Sequence, residues 1–296
     1  MRIAVTGTSG LIGSALVPAL RAADHDVLTL VRRAPTDAGE IAWDPQAGTI
    51  DEAGLVGVEA IVHLAGFNLG TRWTRASKQL ILDSRVTGTR LVAEAASRLS
   101  PHPAALVCAS AIGFYGDRGD DVLTETAARG DGFLADVVEA WEAAADPARD
   151  AGIRVVSLRQ GLVLSRHGGA LGRLLLPFRL GLGGPVGGGR QWWSWVTMED
   201  VVRAYLHVLE RPLAGAFNVT APEPVRNRDF VKALGHALHR PALVPFPAFA
   251  VKAVLGEMGE ELLLASQRID PTGLTADGFD FRQPSLESAL TSLFSA

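Results

Sequence analysis

Short apolar runs and longer amphipathic stretches alternate along the first half of the chain. The apolar runs predict buried strands at residues 2–6, 26–31, 60–64, 104–109 and 154–158. Apolar residues recur at helical spacing in the intervening stretches 14–23, 77–99 and 132–150. Strands that alternate with helices indicate an α/β fold whose parallel sheet is covered on both faces. The predicted fold class is therefore a doubly wound parallel sheet of the Rossmann type.

The regular alternation of apolar and amphipathic stretches ends at Gly161. Glycine pairs and a cluster of tryptophans follow, and helical patterns return at 197–210, 228–238 and 251–267, with a proline-rich stretch at 241–247 between the last two. We predict a dinucleotide-binding domain over residues 1–161, to whose sheet later segments return. Residues 162–296 are predicted to form a smaller C-terminal α/β lobe that binds the substrate.

The first strand runs into three glycines at three-residue spacing, Gly7, Gly10 and Gly13. A strand, such a turn and a helix together are typical of a site for the pyrophosphate of a dinucleotide, which lies on the helix N-terminus. Ser9, Leu11 and Ile12 are predicted to contribute to the same site. The alternative is a tight turn whose glycines only allow the chain to reverse.

The second predicted strand ends in Arg32 and Arg33, with no carboxylate beside them. At this place an acidic side chain favours the free ribose of NAD, whereas arginine favours the 2′-phosphate of NADP. We therefore predict NADP(H), with Arg32 as the main phosphate contact and Arg33 in support. The alternative is that both arginines are solvated at a strand end.

Composition excludes several classes of function. The 296 residues carry a net charge of −4, which argues against a nucleic-acid partner. A single cysteine allows no internal disulfide, and the seven histidines show no paired spacing that would predict a metal site. Because we find neither a long apolar stretch nor a leader pattern, we expect a cytoplasmic protein without a membrane partner.

Ligands of such folds bind beyond the carboxyl ends of the strands. There we expect Leu64, Ala65 and Gly66 to border the cofactor, and Ser110 and Tyr115 to meet the nicotinamide and the substrate. Asn68, Gln160, Trp192 and Trp193 are the predicted walls of the substrate pocket. Ser110 taken alone is equally well explained as a strand-end cap, and the tryptophans equally well as packing of the second lobe.

These motifs together resemble the extended short-chain dehydrogenase/reductase superfamily, which includes sugar-nucleotide epimerases and dehydratases. The residues that carry the resemblance are Thr6, the three glycines, His63 to Gly66, Thr87 to Thr89, Ser110, Tyr115, Gly116 and Arg159. Strings such as Pro177 to Pro185, Gly189 to Val196 and Asn218 to Pro224, with a C-terminal segment at about 245–294, resemble an epimerase-like subfamily. The resemblance implies an NAD(P) cofactor and a small-molecule substrate with a carbonyl or sugar-nucleotide character, and leaves a homodimer open.

The chain departs from the superfamily at its acid–base pair. A Tyr-x-x-x-Lys pair is expected on the helix after the serine strand, but the two registers that fit place Phe133 with Val137, or Leu134 with Val138. Tyr115, Lys78, Arg85, Asp136 and Glu142 are the substitutes to consider. Arg85 also stands where the superfamily commonly has asparagine, and we predict that it reaches the cofactor. Two hypotheses follow: an epimerase-like oxidoreductase, or a non-catalytic NADP(H)-binding regulator or scaffold.

Overall fold

The computed structural model describes residues 1–295. Its strands are β1 Arg2–Thr6, β2 Asp26–Val31, β3 Glu40–Asp44, β4 Thr49–Ile50, β5 Ala60–His63, β6 Ala105–Ala111, β7 Val122–Leu123, β8 Arg154–Gln160, β9 Leu162–Leu164, β10 Trp192–Trp193, β11 Trp195–Thr197, β12 Gly215–Val219, β13 Val225–Arg226 and β14 Arg268–Ile269. Its α-helices are α1 Gly13–Ala22, α2 Arg75–Arg98, α3 Phe133–Ala143, α4 Asp146–Asp150, α5 Gly169–Arg179, α6 Met198–Glu210, α7 Asn227–Ala237, α8 Ala248–Leu255, α9 Glu257–Gly259, α10 Thr272–Ala276 and α11 Leu286–Phe294. A 3₁₀ helix covers Ile112–Tyr115, and a π-helix covers Glu260–Leu264.

Eight strands form the main sheet in the order β12-β8-β6-β5-β1-β2-β3-β4. All neighbours are parallel except β3 and β4, which are antiparallel. From β1 the chain continues outward to β2 on one side, and β5 lies on its other side. The strand order therefore reverses between β1 and β5, which is where folds of this kind bind their ligands.

Helices cover both faces of the sheet, which confirms the predicted fold class. The apolar stripe of α1, with Leu16, Val17 and Leu20, packs with residues of α6 such as Val201 and Tyr205. On the opposite face, residues of α2 including Val92 and Ala96 pack with α4 and the other side of the sheet. Because successive side chains of a strand point to opposite faces, both layers draw on the same strands.

The predicted helix at 132–150 is two helices. Helix α3 ends at Ala143, and α4 begins at Asp146 with Pro147 in its first turn, where proline is tolerated but cannot continue a preceding helix. The predicted helix at 251–267 is also divided, because Gly256 adopts a positive φ of 59° between α8 and α9. No strand was predicted at β3, a short strand between β2 and β5 along the chain.

Strand β12 lies at the edge of the main sheet, beside β8, although it comes long after Gly161 in the chain. The remaining C-terminal segments pack around a separate apolar cluster that includes Leu171, Trp193, Trp195, Phe230 and Leu290. The division at Gly161 stays a prediction. Among residues 1–295, we find no helix that combines the length and the apolar character needed to span a bilayer.

Candidate functional site

The glycine turn after β1 is closely packed. Gly7 has a φ of 68°, and a Cβ there would lie 2.8 Å from the backbone of Leu64 and Ala65. A Cβ on Gly13 would lie 2.3 Å from the carbonyl oxygen of Gly7. Gly10 donates its amide to that same carbonyl at 3.0 Å. Only glycine fits Gly7 and Gly13, because a side chain at either position would collide with backbone atoms.

Three of the predicted cofactor residues present unused backbone donors. Within residues 1–295, the amides of Ser9, Leu11 and Ile12 donate to no backbone or side-chain acceptor. They precede the first residues of α1, so the positive end of the helix dipole adds to their attraction for an anion. This turn can therefore hold a phosphate group with backbone groups alone.

A buried histidine and threonine join this turn to the end of β5. The hydroxyl of Thr6 accepts the amides of Leu64 at 3.0 Å and Ala65 at 3.3 Å, and lies 2.9 Å from Nδ1 of His63. His63 is fully buried, and burial lowers its pKa to about 4. Its imidazole is therefore neutral at pH 7 and positions the two turns at the point where the sheet order reverses.

Arg32 and Arg33 line a cavity of about 390 Å³ at the end of β2, together with Trp43, Asp44 and Asp51 among others. Arg33 is already paired, since its Nη1 donates to Glu40 at 2.8 Å and its Nη2 donates to the other carboxylate oxygen. This guanidinium holds the pKa of Glu40 well below its usual range, at about 2. The guanidinium of Arg32 is exposed and makes no hydrogen bond or ion pair with residues 1–295, so its donors are free for a ligand.

Ser110, the last residue but one of β6, lies inside a buried ionic network. Its hydroxyl donates to Oε1 of Glu142 at 2.5 Å, and Arg159 donates to both oxygens of Glu142 at 2.7 and 2.8 Å. The side chains of Arg159 and Glu142 are 6% and 15% exposed. The strand register brings these three side chains together, because Ser110 of β6 lies opposite Arg159 of β8. Glu142 reaches them from the last turn of α3.

Tyr115 extends the same network. Its hydroxyl donates to Oδ1 of Asn218 at 2.7 Å and accepts from Nη1 of Arg159 at 3.0 Å. Asn218 comes from β12, so the strand that returns to the sheet completes the network. Tyr115 is fully buried, and burial raises the pKa of its phenol above the ordinary value. Sequence reasoning missed Asn218 and the pairing of Arg159 with Glu142.

A second cavity, of about 280 Å³, lies between the end of β6, the start of α3 and the C-terminal segment. Gly113, Gly116 and Leu134 form one side, and Glu260, Glu261 and Gln267 belong to the other. Glu261 accepts the first two amides of α3, Phe133 at 2.8 Å and Leu134 at 2.7 Å. Helix α3 contains neither tyrosine nor lysine, and Leu134 reaches this cavity instead.

The predicted substrate residues are not gathered around this cavity. Asn68 is exposed and accepts the amide of Gly70, while Gln160 donates to the buried Tyr205 at 2.7 Å. Trp193 packs against Phe230 in the separate apolar cluster of the C-terminal segments. The guanidinium groups of Arg226 and Arg268 lie over the ring of Trp192, 4.0 and 4.7 Å from its centre. Neither tryptophan lines the cavity described above.

Arg85 lies on α2 beside Gly66, and Lys78 pairs with Glu257 at 2.7 Å. Asp136, a further substitute considered above, pairs with Arg129 on the surface. In the part of the chain that the structure describes, no group of three or more His, Cys, Asp or Glu side chains is placed to hold a metal ion.

Comparisons with known proteins agree with this geometry. The model of the NAD dependent epimerase/dehydratase family matches residues 3–220, and that of a domain of unknown function, DUF1731, matches residues 246–293. The fold, the glycine turn and these matches define an epimerase-like protein of the extended short-chain dehydrogenase/reductase class. The chain belongs to the NAD dependent epimerase/dehydratase family.

Relatives match over nearly the whole length. An epimerase family protein of Mycobacterium bovis is 44% identical over 97% of this chain and 96% of its own. The human epimerase family protein SDR39U1 is 38% identical over 98% of each chain. A crystal structure of human SDR39U1 with NADPH has a TM-score of 0.91 and 36% identity, and covers 100% of this chain and 99% of that one.

Proposed function

We propose that this protein binds NADP(H) as its cofactor. The observation that carries the proposal is the free guanidinium of Arg32 directly after β2, where residues 30–33 include no acidic residue. Guanidinium binds phosphate through paired, charge-assisted hydrogen bonds. The unused amides before α1 supply the site for the pyrophosphate, and Leu64 to Gly66 border it. The similar human protein, whose structure was solved with NADPH, supports the same choice.

Binding of NADPH and NADH by isothermal titration calorimetry tests this proposal. We expect tighter binding of NADPH, and we expect Arg32→Gln to weaken NADPH by about 10- to 100-fold, the loss of one charge-assisted contact, with little effect on NADH. Arg21→Gln is the matched control, because Arg21 is an exposed arginine on α1. Equal affinity for the two cofactors in the wild-type protein would refute the NADP(H) assignment.

We further propose that the protein is an epimerase-like oxidoreductase that acts on a small molecule of carbonyl or sugar-nucleotide character. When bound, the nicotinamide would exchange hydride with a substrate carbon, giving it to a carbonyl carbon or taking it from an alcohol carbon, and water would exchange the accompanying proton. Ser110 receives the substrate oxygen at the end of β6, while Glu142 and Arg159 fix the direction of its hydroxyl. Since Ser110 gives its proton to Glu142, its free lone pairs accept a hydrogen bond from a substrate hydroxyl, so the network favours the alcohol form of the substrate over its carbonyl form.

The second candidate is a non-catalytic NADP(H)-binding regulator or scaffold. It is favoured by one observation: the hydroxyls of Ser110 and Tyr115 both lie inside a buried network, and α3 offers no tyrosine or lysine. Incubation with NADPH and a panel of carbonyl compounds, including nucleoside-diphosphate sugars, separates the two. If the wild-type protein turns over a panel member and Ser110→Ala does not, the result supports the oxidoreductase hypothesis. Tight NADPH binding without turnover of any panel member supports the regulator.

A further inference from the structure

Arg85 is a buried cation that has no carboxylate partner among residues 1–295. The residue is 8% exposed in the middle of α2. Its Nη1 donates to the carbonyl oxygens of Phe67 and Ile81, both at 3.1 Å, and its guanidinium lies 5.0 Å from the ring centre of Trp141. Burial lowers its pKa to about 10, still far above neutrality. Among residues 1–295, its Nε and Nη2 have no hydrogen-bond acceptor, and both atoms keep some contact with solvent.

Arg159 is also a buried arginine, but unlike Arg85 it has a negatively charged partner. Arg159 is 5% exposed, and it is neutralised by the two oxygens of Glu142. A buried charge is costly unless an opposite charge compensates it. Only carbonyl dipoles and an aromatic ring compensate Arg85 among residues 1–295. A bound anion would supply the missing charge and use the free donors.

The position of Arg85 connects it to the cofactor turn. Its Cζ and Nη2 lie 3.4 and 3.5 Å from the point where a Cβ on Gly66 would stand. The neighbouring residues Leu64 and Ala65 pack directly against Gly7. Gly66 is exposed, and because it has no side chain, a ligand at the reversal point between β1 and β5 can approach the guanidinium.

Arg85 also lies beside α3. Trp141 follows Val137 by four residues and Val138 by three, so all three lie on one side of the helix. Those two valines stand at the positions where a Tyr-x-x-x-Lys pair would have its lysine. The positive charge absent from α3 is therefore supplied to the same region from α2.

We propose that Arg85 is an anion-binding residue that holds an anionic group of a ligand at the junction of β1, β5 and α3. The anion is either the pyrophosphate of the dinucleotide or a carboxylate or phosphate of the substrate. The first of these sources rests on the proposed binding of NADP(H), and the second does not.

Three probes distinguish the sources in calorimetric titrations of wild-type protein and Arg85→Met. NADPH and 2′-phospho-ADP-ribose both contain the pyrophosphate, whereas adenosine 2′-monophosphate does not. The second source is tested by the rise in melting temperature that inorganic phosphate causes, with and without saturating NADPH. Arg90→Met is the matched control, because Arg90 is an exposed arginine on the same helix.

If Arg85 binds the pyrophosphate, Arg85→Met weakens NADPH and 2′-phospho-ADP-ribose about tenfold or more and leaves adenosine 2′-monophosphate unchanged. If it binds a substrate anion, NADPH affinity is unchanged, and the stabilisation of the wild-type protein by phosphate disappears in the variant. A folded Arg85→Met that matches the wild-type protein in all these measurements overturns the proposal.

Gly66→Ala keeps the proposal testable if Arg85→Met does not fold. Its added methyl makes ordinary contact with the guanidinium and fills the space over it, so we expect the same loss of anion binding with Arg85 intact. Unchanged anion binding in Gly66→Ala then overturns the proposal. Failure of the wild-type protein to bind NADPH refutes the proposed cofactor, and the phosphate measurement without NADPH then decides the role of Arg85.

Discussion

The hydroxyl of Ser110 lies 2.5 Å from Oε1 of Glu142, the length of a hydrogen bond to an ionised carboxylate. Arg159 completes this contact by binding both oxygens of the same carboxylate. The pair joins β6, α3 and β8, and through Tyr115 and Asn218 it reaches β12. The residues that sequence reasoning assigned to catalysis are thus also part of the packing of the sheet.

Glu142→Gln should destabilise the fold strongly. It leaves the guanidinium of Arg159 buried without a negative charge, and breaking a buried pair costs about 3 kcal/mol or more. Urea unfolding of wild-type and variant protein measures the difference. Glu139→Gln is the control, because Glu139 is an exposed residue of the same helix that pairs with Arg129 on the surface, and we expect less than about 1 kcal/mol. Equal effects in the two variants would contradict a buried role for Glu142.

Gly13→Ala should lower stability and cofactor affinity together. Its Cβ would lie 2.3 Å from the carbonyl oxygen of Gly7, so the turn or the start of α1 must shift. We expect a loss of about 1–3 kcal/mol, as for overpacking elsewhere. Gly172→Ala in α5 is the matched control, since its Cβ would have no neighbour closer than 4.0 Å. Unfolding curves and NADPH titration of both variants test this, and an unchanged Gly13→Ala would contradict the close approach.

The glycine turn could be predicted because its residues are neighbours in the chain and their spacing carries the signal. The strand before the turn and the helix after it were also predictable, because the pattern of apolar residues indicates both elements. The network around Glu142 could not be predicted in this way, because its members are far apart in the chain. Arg159 lies 17 residues beyond Glu142, and Asn218 lies 103 residues beyond Tyr115. Such pairs depend on strand order and register. Charge pattern in the sequence does not distinguish Arg85, which is buried without an acid, from the exposed Arg90 on the same helix.

Glu261→Ala should loosen the start of α3. Its carboxylate accepts the amides of Phe133 and Leu134, which α3 itself cannot satisfy, because Gly132 precedes them without a capping side chain. We expect a loss of about 1 kcal/mol and faster hydrogen exchange at those two amides. Glu260→Gln is the control, since Glu260 is exposed and its side chain pairs with Lys252 alone among residues 1–295. Unchanged exchange in Glu261→Ala would show that the C-terminal segment does not hold α3.

The fully buried His63 should make the fold less stable as the pH falls. Its pKa is about 4 in the folded protein and about 6.5 in an unfolded chain, so between these values only the unfolded state takes up the proton. The stabilisation is fully present above pH 6.5 and is lost progressively toward pH 4, by up to about 3 kcal/mol. The ring has no acidic partner that would offset this effect among residues 1–295: its Nδ1 contacts the neutral hydroxyl of Thr6, and its Nε2 has no hydrogen-bond partner.

Urea unfolding at pH 7.5, 6, 5 and 4.5 measures this dependence in the wild-type protein and in His63→Gln. Other titrating groups contribute equally to both proteins, so the test is the difference between their free energies of unfolding. We expect His63→Gln to be less stable at pH 7.5, because it loses the edge contact of the imidazole with Trp43, and the difference to shrink as the pH falls. His236→Gln, an exposed change, should follow the wild-type curve within about 0.5 kcal/mol. A constant difference between wild-type protein and His63→Gln over this range would contradict a neutral, buried His63.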